Sequence, residues 1–279
     1  MWQVLEPIHA VCYFSPEPLT ELSAVGYRGF WMGYFAQRSA PFAEVPPEVV
    51  EATFYNFTSA RVHRALPAAW EFAPPSAALS ARVAGSVSAL RRIAEPSPEV
   101  LDRIDEAADL ALQAALGAPL TGLPLYAANR ALAIPDDPLE RLWHACTLLR
   151  EHRGDGHVAA LIGAGIGGRE SHVLHSLAAG LPPEIYAGSR DFTPEEWDYC
   201  VSALEARDII KDGRLSTRGT ALKDAVESLT DNLAEAPYSA LSDEELRRLY
   251  AAVRPLSLAI ARSGDLPIKT PIGLDLSQI

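Results

Sequence analysis

RLWHACTLLREHRGDGHVAALIG, residues 141–163, opens as an amphipathic helix with Leu142, Trp143, Cys146 and Leu149 on one face. The apolar pattern then stops. Arg150, Glu151, His152, Arg153, Asp155 and His157 follow within eight residues, interrupted by Gly154 and Gly156, and a second apolar run, Val158–Ile162, resumes at once. Ionisable groups between two core-forming segments are costly unless exposed, paired or functional, because a desolvated charge needs a partner. Gly154 can end one helix in a left-handed cap while Asp155 caps the next, and a break there is the expected arrangement. If the helix instead runs through, Arg150, Arg153 and His157 share a face at i, i+3 and i+7, a cationic strip suited to an anion. His152 and His157 do not have the i, i+4 spacing of zinc helices and no third ligand is evident, so no metal is expected.

The totals narrow the classes. The chain has 279 residues, 48% hydrophobic, which supports a substantial core and excludes disorder as the general state. No run of eighteen apolar residues occurs and no secretory signal is visible in Met1–Ala10, so a cytoplasmic protein without a membrane span is expected. The three cysteines, Cys12, Cys146 and Cys200, are far apart among apolar neighbours, which argues against disulfides and against a cysteine metal site. A net charge of −12 disfavours broad contact with phosphate backbones. It leaves room for a local basic site, and most of the basic residues are Arg, the better bidentate ligand for carboxylate or phosphate.

Outward from the opening stretch, helical periodicity dominates. A helix is expected to end near Phe14 ahead of Pro16 and Pro18, with His9, Tyr13 and Glu17 at four-residue spacing. Leu19–Ala40 reads as one helix, rich in aromatics and flanked by Arg28 and Arg38. Glu48–Leu66 reads as another, with Val50, Phe54, Phe57 and Val62 as its buried stripe and Asn56 among the aromatics. Ser76–Ala94 and Pro98–Leu116 follow as helices, and Asp136 or Asp137 caps the helix that carries the opening stretch. The glycine-rich GAGIGG at 163–168 is a hinge. It is not a dinucleotide fingerprint, since no strand precedes it.

Residues 192–219 carry the clearest architectural signal. Thr193-Pro194-Glu195-Glu196 is a capping box with Pro at the first helical position. After that helix, Ile209-Ile210, Lys211-Asp212-Gly213-Arg214 and Leu215 read as a hairpin with an Asp-Gly turn, and a long helix starts at Thr217 or Thr220. Residues 143–236, and SALEARDIIKDGRLSTRG above all, resemble the winged helix of MarR-like regulators. The implied fold is mainly α, in two helical lobes: an N-terminal helical domain over 1–135, and a winged helix-turn-helix over 136–279 with a short β-hairpin and long C-terminal helices. The chain as a whole resembles a family of about this length, found mainly in actinobacteria and labelled helix-turn-helix on sequence grounds. EPIHAVCYFSPE, RGFWMGYFAQRSAP, ATFYNF, RALPAAW and REHRGDGHVAALI carry that resemblance, which implies fold and not proven regulation.

DNA binding does not follow from the fold. A recognition helix presents basic and polar residues at its N-terminal end, and here that end holds Glu195, Glu196 and Asp198. Between Thr193 and Gly219 four basic residues stand against six acidic ones, a net of −2, and only Lys211 and Arg214 favour DNA. The expectation is therefore a cofactor-independent enzyme that acts on a small, anionic metabolite by elimination, ring closure or hydrolysis, and the resemblance to the actinobacterial family implies a setting in specialised biosynthesis. His152 or His157 would be acid or base, and Asp155 or Glu151 would orient the histidine or act as base. Arg150, Arg153, Arg38 and Arg28 would bind the anion. His9, Tyr13, Tyr34, Phe54, Asn56 and Phe57, with Trp31, would line an enclosed hollow. The alternative is a ligand-responsive winged-helix regulator or a non-catalytic binding protein. A homodimer through the C-terminal helices, or a partner protein there, is the other expected association.

Overall fold

The computed structural model describes residues 1–270 and 273–279. Among them are fourteen α-helices and one two-stranded antiparallel hairpin, a mainly α protein. In chain order come α1 (Trp2–Phe14), α2 (Pro16–Ala24), α3 (Gly29–Ser39), α4 (Pro47–Phe54), α5 (Ser59–Ala65), α6 (Pro75–Ala94), α7 (Ile104–Gly117), α8 (Pro124–Arg130) and α9 (Pro138–Gly163). Then α10 (Gly168–Ala179), α11 (Glu184–Arg190) and α12 (Pro194–Glu205) lead to the hairpin of β1 (Ile210–Lys211) and β2 (Arg214–Leu215), followed by α13 (Thr217–Glu235) and α14 (Asp243–Ser263). The chain makes two compact units, neither continuous in sequence. The first is Met1–Pro46, Arg64–His152 and Glu235–Ile279, and the second is Pro47–His63 and Arg153–Ala234. Residues 135 and 136 lie inside the first unit, just ahead of α9.

The first unit is an α-helical core around α1, whose residues 4–12 are all buried. α6, α7 and α14 pack near it through Leu90, Ile93, Ala108, Ala111, Leu249, Val253 and Leu256. α2 lies so close on α6 that a Cβ on Gly85 would stand 2.4 Å from the Cα of Pro18. From Leu142 to Leu149 α9 is buried on every side, which a helix tolerates when it is apolar all round. Asp137 caps it, accepting from the Leu139 and Glu140 amides at 3.0 Å.

The second unit carries α10, α11 and α12 and the hairpin. Its core joins Leu161, Val173, Tyr186, Phe192, Leu204, Ile209, Ile210 and Val226. Thr193 accepts from the Glu196 amide and Pro194 opens α12. The reciprocal half of the box is not made, because the Glu196 carboxylate goes to Arg169. Asp212 and Gly213 at the hairpin tip both have positive φ, +51° and +70°, the backbone of a tight type I′ turn.

Three expectations about continuity are corrected. Leu19–Ala40 is two helices, since Gly26 and Gly29 take φ of +113° and +71° between α2 and α3. Glu48–Leu66 is also two, parted where Tyr55 takes φ +55°. The break at Gly154 is absent, and α9 runs unbroken for 26 residues. Gly156 stays helical and packs on Leu233 of α13, whose side chain a Cβ there would meet at 3.4 Å.

Candidate functional site

Glu151 lies at the centre of a polar cluster inside the first unit, its side chain only 2% exposed. Arg38 of α3 grips it with two donors, Nε to Oε1 at 3.3 Å and Nη2 to Oε2 at 3.2 Å, and gives Nη1 to the Tyr34 hydroxyl at 3.3 Å. Arg150, one residue before it on α9, donates Nη1 to Oε2 at 2.6 Å. Glu6 of α1, also buried, lies 3.9 Å from Arg150 Nε. Burial alone would raise the Glu151 pKa, but Arg150 and Arg38 together override it and hold the carboxyl at about 2. Deeper in the unit Arg82 donates to the Gln37 carbonyl at 3.1 Å and to Asn129 Oδ1 at 3.0 Å, with its guanidinium 5.6 Å from the Trp143 ring centre. Three guanidiniums thus share the interior with two carboxylates.

His9 adjoins this cluster. Its Nδ1 lies 3.0 Å from Thr147 Oγ1 and its Nε2 3.1 Å from the Tyr13 hydroxyl, with Cys12 Sγ at 3.8 Å. The ring stacks on Trp143, centres 6.0 Å apart. Burial first, then the neighbouring Arg150, push its pKa well below the ordinary histidine value, so His9 is neutral. From Tyr13 an aromatic run leads outward: Tyr34 is 5.3 Å from Tyr13, and Trp31 and Phe30 lie 5.5 and 6.1 Å from Tyr34. Tyr13, Tyr34 and Trp31 are half-buried and Phe30 is 43% exposed. The arrangement can hold an anion on guanidiniums at the inner end of an aromatic face.

The expected site residues divide between the units. Arg38, Arg150, Glu151, His9, Tyr13 and Tyr34 come together as described. His152, 3% exposed, is in the same unit, edge-on to Tyr126 at 5.2 Å, and neither ring nitrogen has a hydrogen-bond partner among the described residues. Arg28 stands apart in that unit, exposed and 4.4 Å over the Phe72 ring. Arg153, Asp155, His157, Phe54, Asn56 and Phe57 belong to the second unit. There α13 occupies the expected cationic strip: Arg153 pairs with Asp231 at 2.7 Å and Glu227 at 3.8 Å, and His157 Nδ1 lies 2.9 Å from Thr230 Oγ1. Asp155 is buried. Phe54 and Phe57 pack together with ring centres 6.4 Å apart, and the Asn56 carbonyl lies 3.1 Å from His172 Nε2.

Glu6, Arg82, Gln37, Asn129 and Thr147 were not singled out by sequence. Glu6 and Arg82 carried a signal, a lone charge in an otherwise apolar helical run (WQVLEPIHAVC and ARVAGSV). Thr147 looks like any helical threonine.

The exposed side of α12 is acidic. α12 exposes Glu195, Asp198, Ser202 and Glu205 around Tyr199, which is 75% exposed. Arg169 and Arg207 are already paired with Glu196 and Glu170. Lys211, Arg214 and Arg218 flank a shallow hollow at the hairpin, interleaved with Asp208 and Asp212. Among the described residues no helix is long and apolar enough to cross a membrane. Over residues 1–267 the sequence matches the model of a helix-turn-helix family. No curated protein and no solved structure matches it.

Proposed function

The chain belongs to this helix-turn-helix family, and from that premise we propose that it is an enzyme rather than a DNA reader. It binds a small anionic metabolite in the first unit and transforms it by acid/base chemistry of its own side chains, an elimination, ring closure or hydrolysis. The observation that carries this reading is the pairing of Arg38 and Arg150 on one buried carboxylate, Glu151. Buried charges are ordinarily paired or hydrogen-bonded. Here three guanidiniums, those of Arg38, Arg150 and Arg82, stand with two carboxylates, those of Glu151 and Glu6. A ligand anion supplies the missing partner, with its apolar body along Tyr34, Trp31 and Phe30.

Roles follow from the surroundings. Glu151, ionised far below neutral pH and gripped on both oxygens, is a poor proton carrier at neutrality and serves as the post on which the two guanidiniums are held. His152, neutral, is the expected acid/base histidine that lies in the first unit, and His9, also neutral, adjoins the anion-holding cluster. Arg153 and His157 hold α13 to α9. The winged helix is of the MarR-like kind and has lost DNA binding through its acidic α12. The setting is the cytoplasm of an actinobacterium, in specialised biosynthesis, and a homodimer would form through α13 and α14, where Leu229 and Tyr250 are exposed.

The second reading, a ligand-responsive regulator, is favoured by the family's helix-turn-helix description and by Lys211, Arg214 and Arg218 at the hairpin. A mobility-shift experiment with operator-length duplexes at low salt, beside native mass spectrometry of the purified chain, separates the two. The enzyme reading expects no retarded complex, and a co-purified small anion that Arg150→Gln loses. Tight, sequence-selective retardation overturns it.

A further inference from the structure

The hydrogen bonds around His9 have a direction. Thr147 Oγ1 lies 2.9 Å from the carbonyl of Trp143, and a carbonyl only accepts, so Thr147 spends its one hydrogen there. Its oxygen must then accept from His9 at 3.0 Å, which puts the imidazole hydrogen on Nδ1. With the ring neutral, Nε2 is a bare acceptor. The groups facing it are the Tyr13 hydroxyl at 3.1 Å and the Cys12 thiol at 3.8 Å, both able to donate. Tyr13 therefore gives its hydrogen inward to His9. The residue is half-buried, the lone pairs of its oxygen are left for a ligand, and the Arg150 guanidinium stands 5.9 Å from the centre of its ring.

We infer that Tyr13 is the catalytic residue that takes a proton from the bound anion, and that His9 and Thr147 are positioning residues that draw Tyr13's own proton inward as it does so. This deepens the proposed function and rests on it. In the step, an X–H bond of the ligand breaks with its electron pair left on the ligand. The proton goes to Tyr13 Oη, the former hydroxyl proton of Tyr13 moves to His9 Nε2, and the new imidazolium keeps its bond from Nδ1 to Thr147. Tyr13 is neutral before and after, which suits a side chain whose burial pushes its ionisation far above the usual tyrosine range. The charge left on the ligand falls beside Arg150 and Arg38. Burial first, then Arg150, Arg82 and Arg38, oppose the His9 cation and Glu151 favours it, so the proton rests on His9 only until the second transfer. The second proton transfer, back through Tyr13 or to a leaving group, completes an elimination or a ring closure.

The test uses the full chain and 3-hydroxy-4-nitrobenzoate, a carboxylate whose hydroxyl changes colour on losing its proton. Affinity is measured by calorimetry, and the bound hydroxyl is titrated by absorbance in wild type, Tyr13→Phe, Thr147→Val and Arg150→Gln. The relay expects the bound hydroxyl to lose its proton roughly tenfold more readily in wild type than in Tyr13→Phe or Thr147→Val. An identical titration in wild type and Tyr13→Phe overturns the relay while leaving the anion site standing. No binding by wild type, or full binding by Arg150→Gln, overturns the anion site itself. Nitrogen-15 NMR of His9 is a further check that needs no ligand. The Nδ1–H tautomer is expected in wild type and its partial loss in Thr147→Val, whereas an Nε2–H tautomer in wild type overturns the inference.

Discussion

Glu151 shows at the scale of one residue why a buried ion pair is costlier to break than to replace. Its carboxylate joins two guanidiniums that burial would otherwise penalise. Glu151→Ala is expected to lower unfolding stability by about 3–5 kcal/mol, because it strands Arg38 and Arg150. Urea denaturation of the full chain checks this, and a loss under about 1 kcal/mol would mean that water already reaches both arginines. The opening stretch gave away that these charges needed a partner, since Arg150 and Glu151 interrupt an apolar pattern. It could not say which partner. Arg38 lies 113 residues away from Glu151, and no local spacing encodes that pairing. The same limit hid Thr147, whose role depends on a histidine 138 residues earlier.

Among the helices, α9 separates what patterning can and cannot show. Its apolar faces on both sides of the charges were legible, and so was its Asp137 cap. Its continuity was not, because Gly-Asp-Gly serves a helix end and a close helix contact equally well. The contact with α13 decides between them: a Cβ at Gly156 would meet Leu233 at 3.4 Å, an ordinary packing distance. Gly156→Ala should therefore leave stability unchanged or raise it by about 0.5–1 kcal/mol through helix propensity, as read by thermal melting. A clear loss would restore the break at Gly154. Gly219 behaves oppositely. An added Cβ would stand 2.0 Å from the Ile209 carbonyl oxygen, so Gly219→Ala forces α13 away from the residue that leads into β1. It is expected to cost about 1–3 kcal/mol and to broaden the amide signals of the hairpin. Gly26 and Tyr55, which break the two aromatic-rich helices, gave no warning because their positive φ answers to tertiary packing.

For the whole molecule, buried neutral histidines set the response to acid. Burial first, then Arg82 and Arg130, bring His144 to about 4; burial, Arg153, Lys223 and His175 bring His157 to about 4 against the pull of Glu227. Both ordinarily titrate near 6.5, so the unfolded chain takes up protons first as pH falls. Stability is then level above about pH 7 and falls from 6.5 towards 4, by up to about 1.4 kcal/mol per pH unit for each histidine. Below 4.5 the ionised Glu151 adds its own loss as the pH approaches 2. Urea midpoints between pH 8 and 4 should trace this course, with a shallower fall in His157→Gln; a midpoint independent of pH across 6.5 to 4 would mean that these rings are solvated. The mainly α class and the hairpin were readable from periodicity and one Asp-Gly turn. The discontinuous units were not, since residues 47–63 join a unit whose other members begin a hundred residues later.

The central claim is that Arg38 and Arg150 hold a ligand as well as a carboxylate, and thermal melting of wild type and Arg150→Gln against a panel of small organic carboxylates and phosphates tests it most directly. At about a hundredfold excess over Kd, at least one anion should raise the wild-type Tm by roughly 5 °C and leave the variant unmoved. A panel that shifts neither protein, or shifts both alike, would contradict the account and leave the cluster as internal bracing.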